Sequence, residues 1–382
     1  MRHWKFMAII VILFPLLAGC LDSNEPEQMV YIHGLGVDYK KGRYIIYLQM
    51  VNLGKLAKSE VGGGEKMQME VGRASGKSMD EALFALYKSI QRKVFWGHLS
   101  FIVFTEEALK NKALNDTIDL FDRYRETRYR IWMFSTKGDV KQLLLSSPML
   151  GISTALTRVA EPRGSYDQSS ILKPMNMREL IMQLDEPGYN AVIPTVSIAK
   201  NTWQSNEKKR AAIQADGVAI ITPRKLQGFI SSNDVKGLRW MTEESKRNGL
   251  LLKKKGRRAA YVLLLSPSVT IQPEVKNQDV YFTIKIKVSG YVNEIDQKIS
   301  EEFLCREAEK VIEKEVQQTY LKGLELDADV YRLSNTLYKK NVDAWKKVAK
   351  NGVIPLRKDS ISVQAQVKIR HVGKQRLRPT IQ

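Results

Sequence analysis

Apolar residues recur along this chain at two spacings. Val280, Phe282, Ile284, Ile286 and Val288 alternate with Tyr281, Thr283, Lys285 and Lys287. A period of two places the first set on one face of a strand, so this strand is half-buried. The pattern returns near the end of the chain, where Ile361, Val363, Ala365, Val367 and Ile369 alternate with Ser362, Gln364, Gln366, Lys368 and Arg370. Between the two, the spacing becomes helical. Leu304, Ala308, Val311, Ile312 and Tyr320 share one face, and Val330, Leu333, Leu337, Trp345 and Val348 share another. The prediction is strand, two long helices, strand: an α+β unit whose helices cover one face of an antiparallel sheet.

Earlier in the chain, short strands and helices alternate. Met29–Val37 and Arg43–Val51 read as a hairpin turning at Asp38-Tyr39-Lys40-Lys41-Gly42, and Met67–Val71 as a third strand after a loop at Gly62-Gly63-Gly64. Ser78 and Glu81 form a capping box ahead of a helix whose apolar face is Leu83, Leu86, Tyr87 and Ile90. Leu99–Phe104 is a strand, Thr105 caps a helix, and Ile118, Leu120, Phe121 and Tyr124 mark another. Ile131–Phe134 is a strand, and Asp139 opens a helix at Val140–Leu145. Such alternation predicts an α/β layer domain. Pro148–Pro174 reads as a surface excursion, Met175–Leu184 as a helix and Val192–Val196 as a strand.

Polar residues dominate Asn201–Arg210, which marks a boundary. Ala211–Ile221 and Lys225–Ile230 follow as strands. Ser231–Asp234 offer caps for a helix through Trp240, and Leu250–Leu252 pairs with Ala259–Leu265. The expected organisation is an N-terminal α/β domain over 29–200, a small β-rich middle domain over 201–267, and a C-terminal α+β domain over 268–382. The fold class is therefore mixed α/β and α+β, with mixed sheets flanked by helices.

The first twenty residues stand apart. Arg2 and Lys5 precede an unbroken apolar and small run, Phe6–Gly19, ending Leu17-Ala18-Gly19-Cys20. This run has the length of a signal h-region and is shorter than the ~20 residues a membrane span needs. Small residues directly before a cysteine resemble the bacterial lipoprotein signal. The resemblance implies cleavage between Gly19 and Cys20, removal of 1–19, and a diacylglycerol on Cys20. Two or three acyl chains anchor stably where one does not. The polar stretch 20–28, with Pro26, is then a lipidated tether, and the rest is an ectodomain outside the cytoplasm.

Composition sharpens this picture. At 43% hydrophobic the chain has material for several cores. The formal charge is +20, and losing Arg2 and Lys5 leaves +18. Export argues against nucleic acid, so this charge reads either as general solubility or as a match to an anionic lipid surface or an acidic partner. Its densest cluster is Lys253, Lys254, Lys255, Arg257 and Arg258, at the tip of an expected hairpin. It reads either as a solvated turn or as a contact with anionic headgroups or an acidic partner. With Cys20 lipidated, Cys305 is left without a disulfide partner and reads as a small buried hydrophobe.

Local motifs for catalysis are missing. Gly72-Arg73-Ala74-Ser75-Gly76-Lys77-Ser78 ends like a phosphate-binding loop but has three residues between its glycines where four are needed. No His-Glu-x-x-His or Gly-x-Ser-x-Gly occurs, and His33, His98 and His371 are scattered. The expectation is a non-enzymatic protein with no cofactor and no metal.

Several short stretches, in order, resemble the Ger(x)C family, the lipoprotein C subunits of spore nutrient-germinant receptors. They are Cys20 with Asp22; Gly34-Leu35-Gly36-Val37-Asp38; Gly76-Lys77-Ser78 with Glu81-Ala82; Gly97-His98 running into Phe101-Ile102-Val103-Phe104; Asp216-Gly217-Val218-Ala219 with Lys225-Leu226-Gln227-Gly228; and Trp345. One departure is Leu21, where that family usually has Trp. The resemblance implies the outer leaflet of the inner spore membrane and two integral membrane partners, the A and B subunits. The alternative is a solute-binding lipoprotein of a transporter, which needs two similar lobes around a cleft; the closing α+β unit does not mirror the first domain.

Overall fold

The computed structural model describes residues 29–51, 69–124, 126–146, 157–204, 206, 209–223 and 225–370. Residues 1–28, expected to be signal and tether, the Gly62-Gly63-Gly64 stretch and His371 lie outside them.

Three tight turns set the registers of the β structure. β1 (Met29–Lys40) folds onto β2 (Arg43–Val51) through Lys41 and Gly42, both at positive φ. Two positive φ values give a type I′ turn, whose twist matches that of the flanking strands. β3 (Glu70–Gly76) adds to β2, and Ser78 then starts α1 (Met79–Tyr87). Here the Ser78 hydroxyl accepts the Glu81 N–H at 3.1 Å, and the Glu81 carboxylate accepts the Lys77 N–H. The Gly76-Lys77-Ser78 triplet is thus a helix cap.

β4 (Lys93–Phe95) and β5 (Phe101–Thr105) both run parallel to β1. Thr105 caps α2 (Glu106–Lys110), followed by α3 (Ala113–Arg123), β6 (Trp132–Thr136) and α4 (Val140–Leu144). The stretch read as a surface excursion holds α5 (Pro162–Gln168) and buries Tyr166 and Leu172. β7 (Met175–Asn176) leads into α6 (Met177–Asp185). β8 (Ala191–Gln204), β9 (Lys209–Ile221) and β10 (Leu226–Ser231) complete a ten-stranded sheet of order β10-β9-β8-β6-β5-β1-β2-β3, with β4 on β1 and β7 on β6.

The expected boundary falls inside the β8–β9 hairpin, where Trp203 pairs with Arg210 and Gln204 with Lys209. Residues 201–267 are divided between two sheets. β9 and β10 belong to the first, whereas β11 (Asn248–Lys254) and β12 (Arg257–Lys276) belong to the second. Both faces of β9 explain this. Ala219 and Ile221 pack in the first domain's core, while Val218 and Ile220 join Trp240 in the core of the second sheet. The helix expected after Ser231–Asp234 is one 3₁₀ turn, Lys236–Trp240. Arg239 in that turn meets Glu315 at 2.8 Å, and the Trp240 indole N–H donates to the same carboxylate at 2.7 Å.

The second sheet has the order β11-β12-β13-β14, with β13 spanning Asp279–Ile295 and β14 Ile361–Ile369. Type I′ turns at Lys255-Gly256 and at Asn277-Gln278 join β11, β12 and β13. β14, however, runs parallel to β13, so the sheet is mixed where an antiparallel one was expected. Parallel neighbours need a long crossover, and the helices between them supply it. Only one of those helices is long: α7 (Glu301–Glu325). The second breaks into α8 (Leu333–Lys340) and α9 (Val342–Val348) at Asn341, whose φ of −155° and ψ of 87° are not helical. The Asn341 side chain then accepts the Ala344 N–H at 2.9 Å and restarts the helix.

Candidate functional site

Turn geometry places the basic cluster. Lys254 and Arg257 pair directly across the hairpin, and Lys255-Gly256 forms its tip. Lys253, Lys255 and Arg257 are exposed. The other two cations are engaged. The Arg258 guanidinium pairs with Glu294 and with Asp296, and the Lys254 ammonium lies over the Phe303 ring, 5.6 Å from its centroid. Lys254 also donates to the Lys298 carbonyl at 3.3 Å. The tip therefore presents three outward cations on a braced hairpin, a shape suited to a flat anionic surface.

A groove of about 1060 Å³ lies between α1 and α3 in the first domain. Met79, Ile90, Val94, Trp96 and Leu120 form its apolar floor. The Trp96 indole donates to the Tyr87 hydroxyl at 3.1 Å, and burial pushes that hydroxyl up to about 12 against the effect of this bond. Lys77, Arg92 and Lys93 stand on the rim. Asp80, Asp116, Asp119 and Glu126 share it; Asp116 accepts from the Tyr44 hydroxyl, both Asp119 oxygens accept from one Arg123 guanidinium nitrogen at 2.9 Å, and Glu126 accepts from the Trp96 backbone N–H at 3.2 Å.

The two sheets are locked at Glu186, just after α6. Its carboxylate takes the Arg332 guanidinium, the Asn335 side-chain amide at 2.7 Å and the Lys339 ammonium at 3.4 Å. Burial alone would raise the Glu186 carboxyl, but Arg332 and Lys339 outweigh it and hold it below the ordinary glutamate range. Beside it the Gly188 N–H donates to the Gly352 carbonyl at 3.0 Å.

Histidines and cysteine fall in structural places. His33 is buried on β1, with Nδ1 3.1 Å from the Gln49 side-chain oxygen and its ring edge-on to Phe101. Burial lowers its imidazole below the usual histidine range. His98 packs edge-on to Tyr31. Cys305 is half-buried, and burial raises its thiol while the Ile369 N–H reaches its sulfur. Among the described residues no group of His, Cys, Asp and Glu is arranged to hold a metal, and no helix is long and apolar enough to cross a membrane. Sequence reading missed both the groove and the Glu186 lock. Glu186 and Arg332 lie 146 residues apart, so no local pattern joins them.

Two family models match in tandem: the spore germination protein N-terminal domain over residues 22–198, and the spore germination B3/GerAC-like C-terminal domain over 216–373. The chain is 22% identical to spore germination protein KC of Bacillus subtilis (strain 168), over 90% of this chain and 89% of that one. It is 24% identical to spore germination protein YndF of the same organism, over 97% of each. The crystal structure of the GerBC protein shares its fold, with a TM-score of 0.55 at 18% identity, covering 89% of this chain and 97% of that one. The chain belongs to the Ger(x)C family of spore germination proteins.

Proposed function

We propose that this protein is a non-enzymatic lipoprotein subunit of a spore nutrient-germinant receptor. It is tied by a diacylglycerol on Cys20 to the outer leaflet of the inner spore membrane, beside two integral membrane subunits of the A and B type. The observation that carries this reading is the tandem match of both germination-family models along nearly the whole chain. The run Phe6–Gly19 before Cys20 supports the anchor. The exposed cations Lys253, Lys255 and Arg257 suit an ectodomain held close to anionic headgroups. A fold that offers two unlike domains, with the second sheet mixed and crossed by α7, favours a receptor subunit over a two-lobed solute-binding lipoprotein.

Metabolic labelling with a fatty acid tests the anchor: label should enter the wild-type protein and not Cys20→Ala, which should also leave the membrane fraction. Affinity isolation from spore membranes tests the assembly. Co-isolation of two polytopic subunits is expected. A monomer carrying a bound small solute instead would overturn the receptor reading in favour of the transporter one.

A further inference from the structure

The outer face of the second sheet carries a repeated pattern that neither the core nor the hairpin tip explains. Phe282, Ile284, Ile286 and Val288 of β13 point into the core, so Lys285 and Lys287 point away from it. Register fixes their neighbours. Lys285 lies between Thr270 of β12 and Gln364 of β14, and Lys287 between Ser268 and Gln366. Two successive rows therefore repeat hydroxyl, ammonium and amide, about 6.6 Å apart along the strand. All six side chains are exposed. We infer that this face docks an extended acidic segment of a partner protein, with Asp or Glu at alternate positions.

Charge selects that occupant. Between the rows of Glu274 and Glu294, no outward position of β12, β13 or β14 holds a carboxylate. Those two bounding residues are themselves paired, Glu274 with Lys276 and Glu294 with Arg258. Among the described residues, Lys285, Lys287 and the neighbouring Lys368 have no ion-pair partner. Glu309 and Glu313 keep their charge, but they sit at the outer edge of β14, one strand removed from the lysines of β13. A second copy of this chain would bring the same cations and be repelled. A bilayer fits poorly as well, because successive strands turn by about 20–25° and three of them bend away from a plane. An extended chain follows that twist. Its alternate side chains recur at the same spacing as the two lysines, so one carboxylate meets each ammonium, and the flanking hydroxyls and amides are left to meet its peptide groups. The inference rests neither on lipidation of Cys20 nor on the receptor reading.

Two fluorescent peptides of equal length and composition test it, one alternating Glu with Ser and the other carrying all its Glu in one block. Anisotropy reads their binding to the full chain in neutral detergent. The alternating peptide should bind more tightly than the block. Lys285→Glu with Lys287→Glu should weaken its binding about tenfold or more at low salt. A peptide alternating Lys with Ser should then bind that variant and not the wild type, which shows that the reversed face still folds. Replacing Lys253, Lys255 and Arg257 by Gln should leave binding of the acidic peptide unchanged. Absence of binding by the wild type would overturn the inference, and so would equal binding of the two acidic peptides. Loss of binding in the hairpin-tip variant but not in the face variant would overturn it too. Displacement of the peptide by anionic lipid added to the micelles would give the face to headgroups instead. Fatty-acid labelling and affinity isolation read the anchor and the assembly separately, so failure here is distinguishable from failure of the receptor reading.

Discussion

The carboxylate of Glu309 on α7 accepts the backbone N–H of Val367 on β14 at 2.9 Å. One turn later Glu313 accepts the Ala365 N–H at 3.0 Å, and one turn earlier the Cys305 sulfur meets the Ile369 N–H. Helix and strand match because four helical residues rise about 6 Å and two strand residues about 6.6 Å. β14 is the last strand of its sheet, and its outer N–H groups would otherwise be open to pairing with another chain. Glu309→Ala and Glu313→Ala should each destabilise the protein by about 1–2 kcal/mol. The double variant should also associate in a concentration-dependent way. Denaturant titration and light scattering read the two effects; an unchanged monomer of unchanged stability would refute this role.

Glu186 should behave as the lock between the two sheets. Glu186→Ala removes the acceptor shared by Arg332, Asn335 and Lys339. Because the site is partly exposed, the expected cost is about 1–2 kcal/mol. Hydrogen exchange should quicken at Gly188 and in the first turn of α8, while the core of β13 stays protected. Unaltered exchange at Gly188 would argue that apolar contacts alone join the sheets.

His33 should make stability depend on pH near neutrality. Burial lowers its folded-state affinity for protons, with Gln49 opposing and His98 adding to the effect. The unfolded chain then binds more protons than the folded one below the ordinary histidine value of about 6.5. Stability is fully present above that value and falls as pH drops toward the lowered one. Thermal midpoints of the wild type should fall between pH 7.5 and 5.5, and His33→Gln should flatten that slope. Parallel curves would locate the dependence elsewhere.

Three cations of the hairpin tip should act on membranes and not on folding. Replacing Lys253, Lys255 and Arg257 by Gln should leave stability within about 0.5 kcal/mol. Binding of the protein made without residues 1–28 to anionic vesicles should weaken by about 1 kcal/mol per cation at low salt. Arg258→Gln should differ, since it breaks contacts with Glu294 and Asp296 and loosens the hairpin itself. Equal vesicle binding by the wild type and the triple variant would make the tip a solvated turn.

What the sequence by itself determined was local. Period-two alternation placed β13 and β14, helical spacing placed α7, and Ser78, Thr105 and Asp139 announced the helices they cap. These features arise within a few residues, where side-chain period and backbone hydrogen bonding leave few options. Short stretches in a fixed order were likewise enough to reveal the family. Tertiary structure alone decided what depends on distant partners. Alternation says which side of β14 is apolar but not which way it runs, and its parallel pairing with β13 follows from where the α7–α9 connection leaves the chain. The apolar residues of β9 did not disclose that Val218 and Ala219 serve different cores. Arg332 looks like any surface cation until the fold sets it against Glu186, and Lys93 becomes part of a groove only because β4 pairs with Met29. Such contacts join segments far apart in the chain, and their energies exist only once the intervening chain has been ordered.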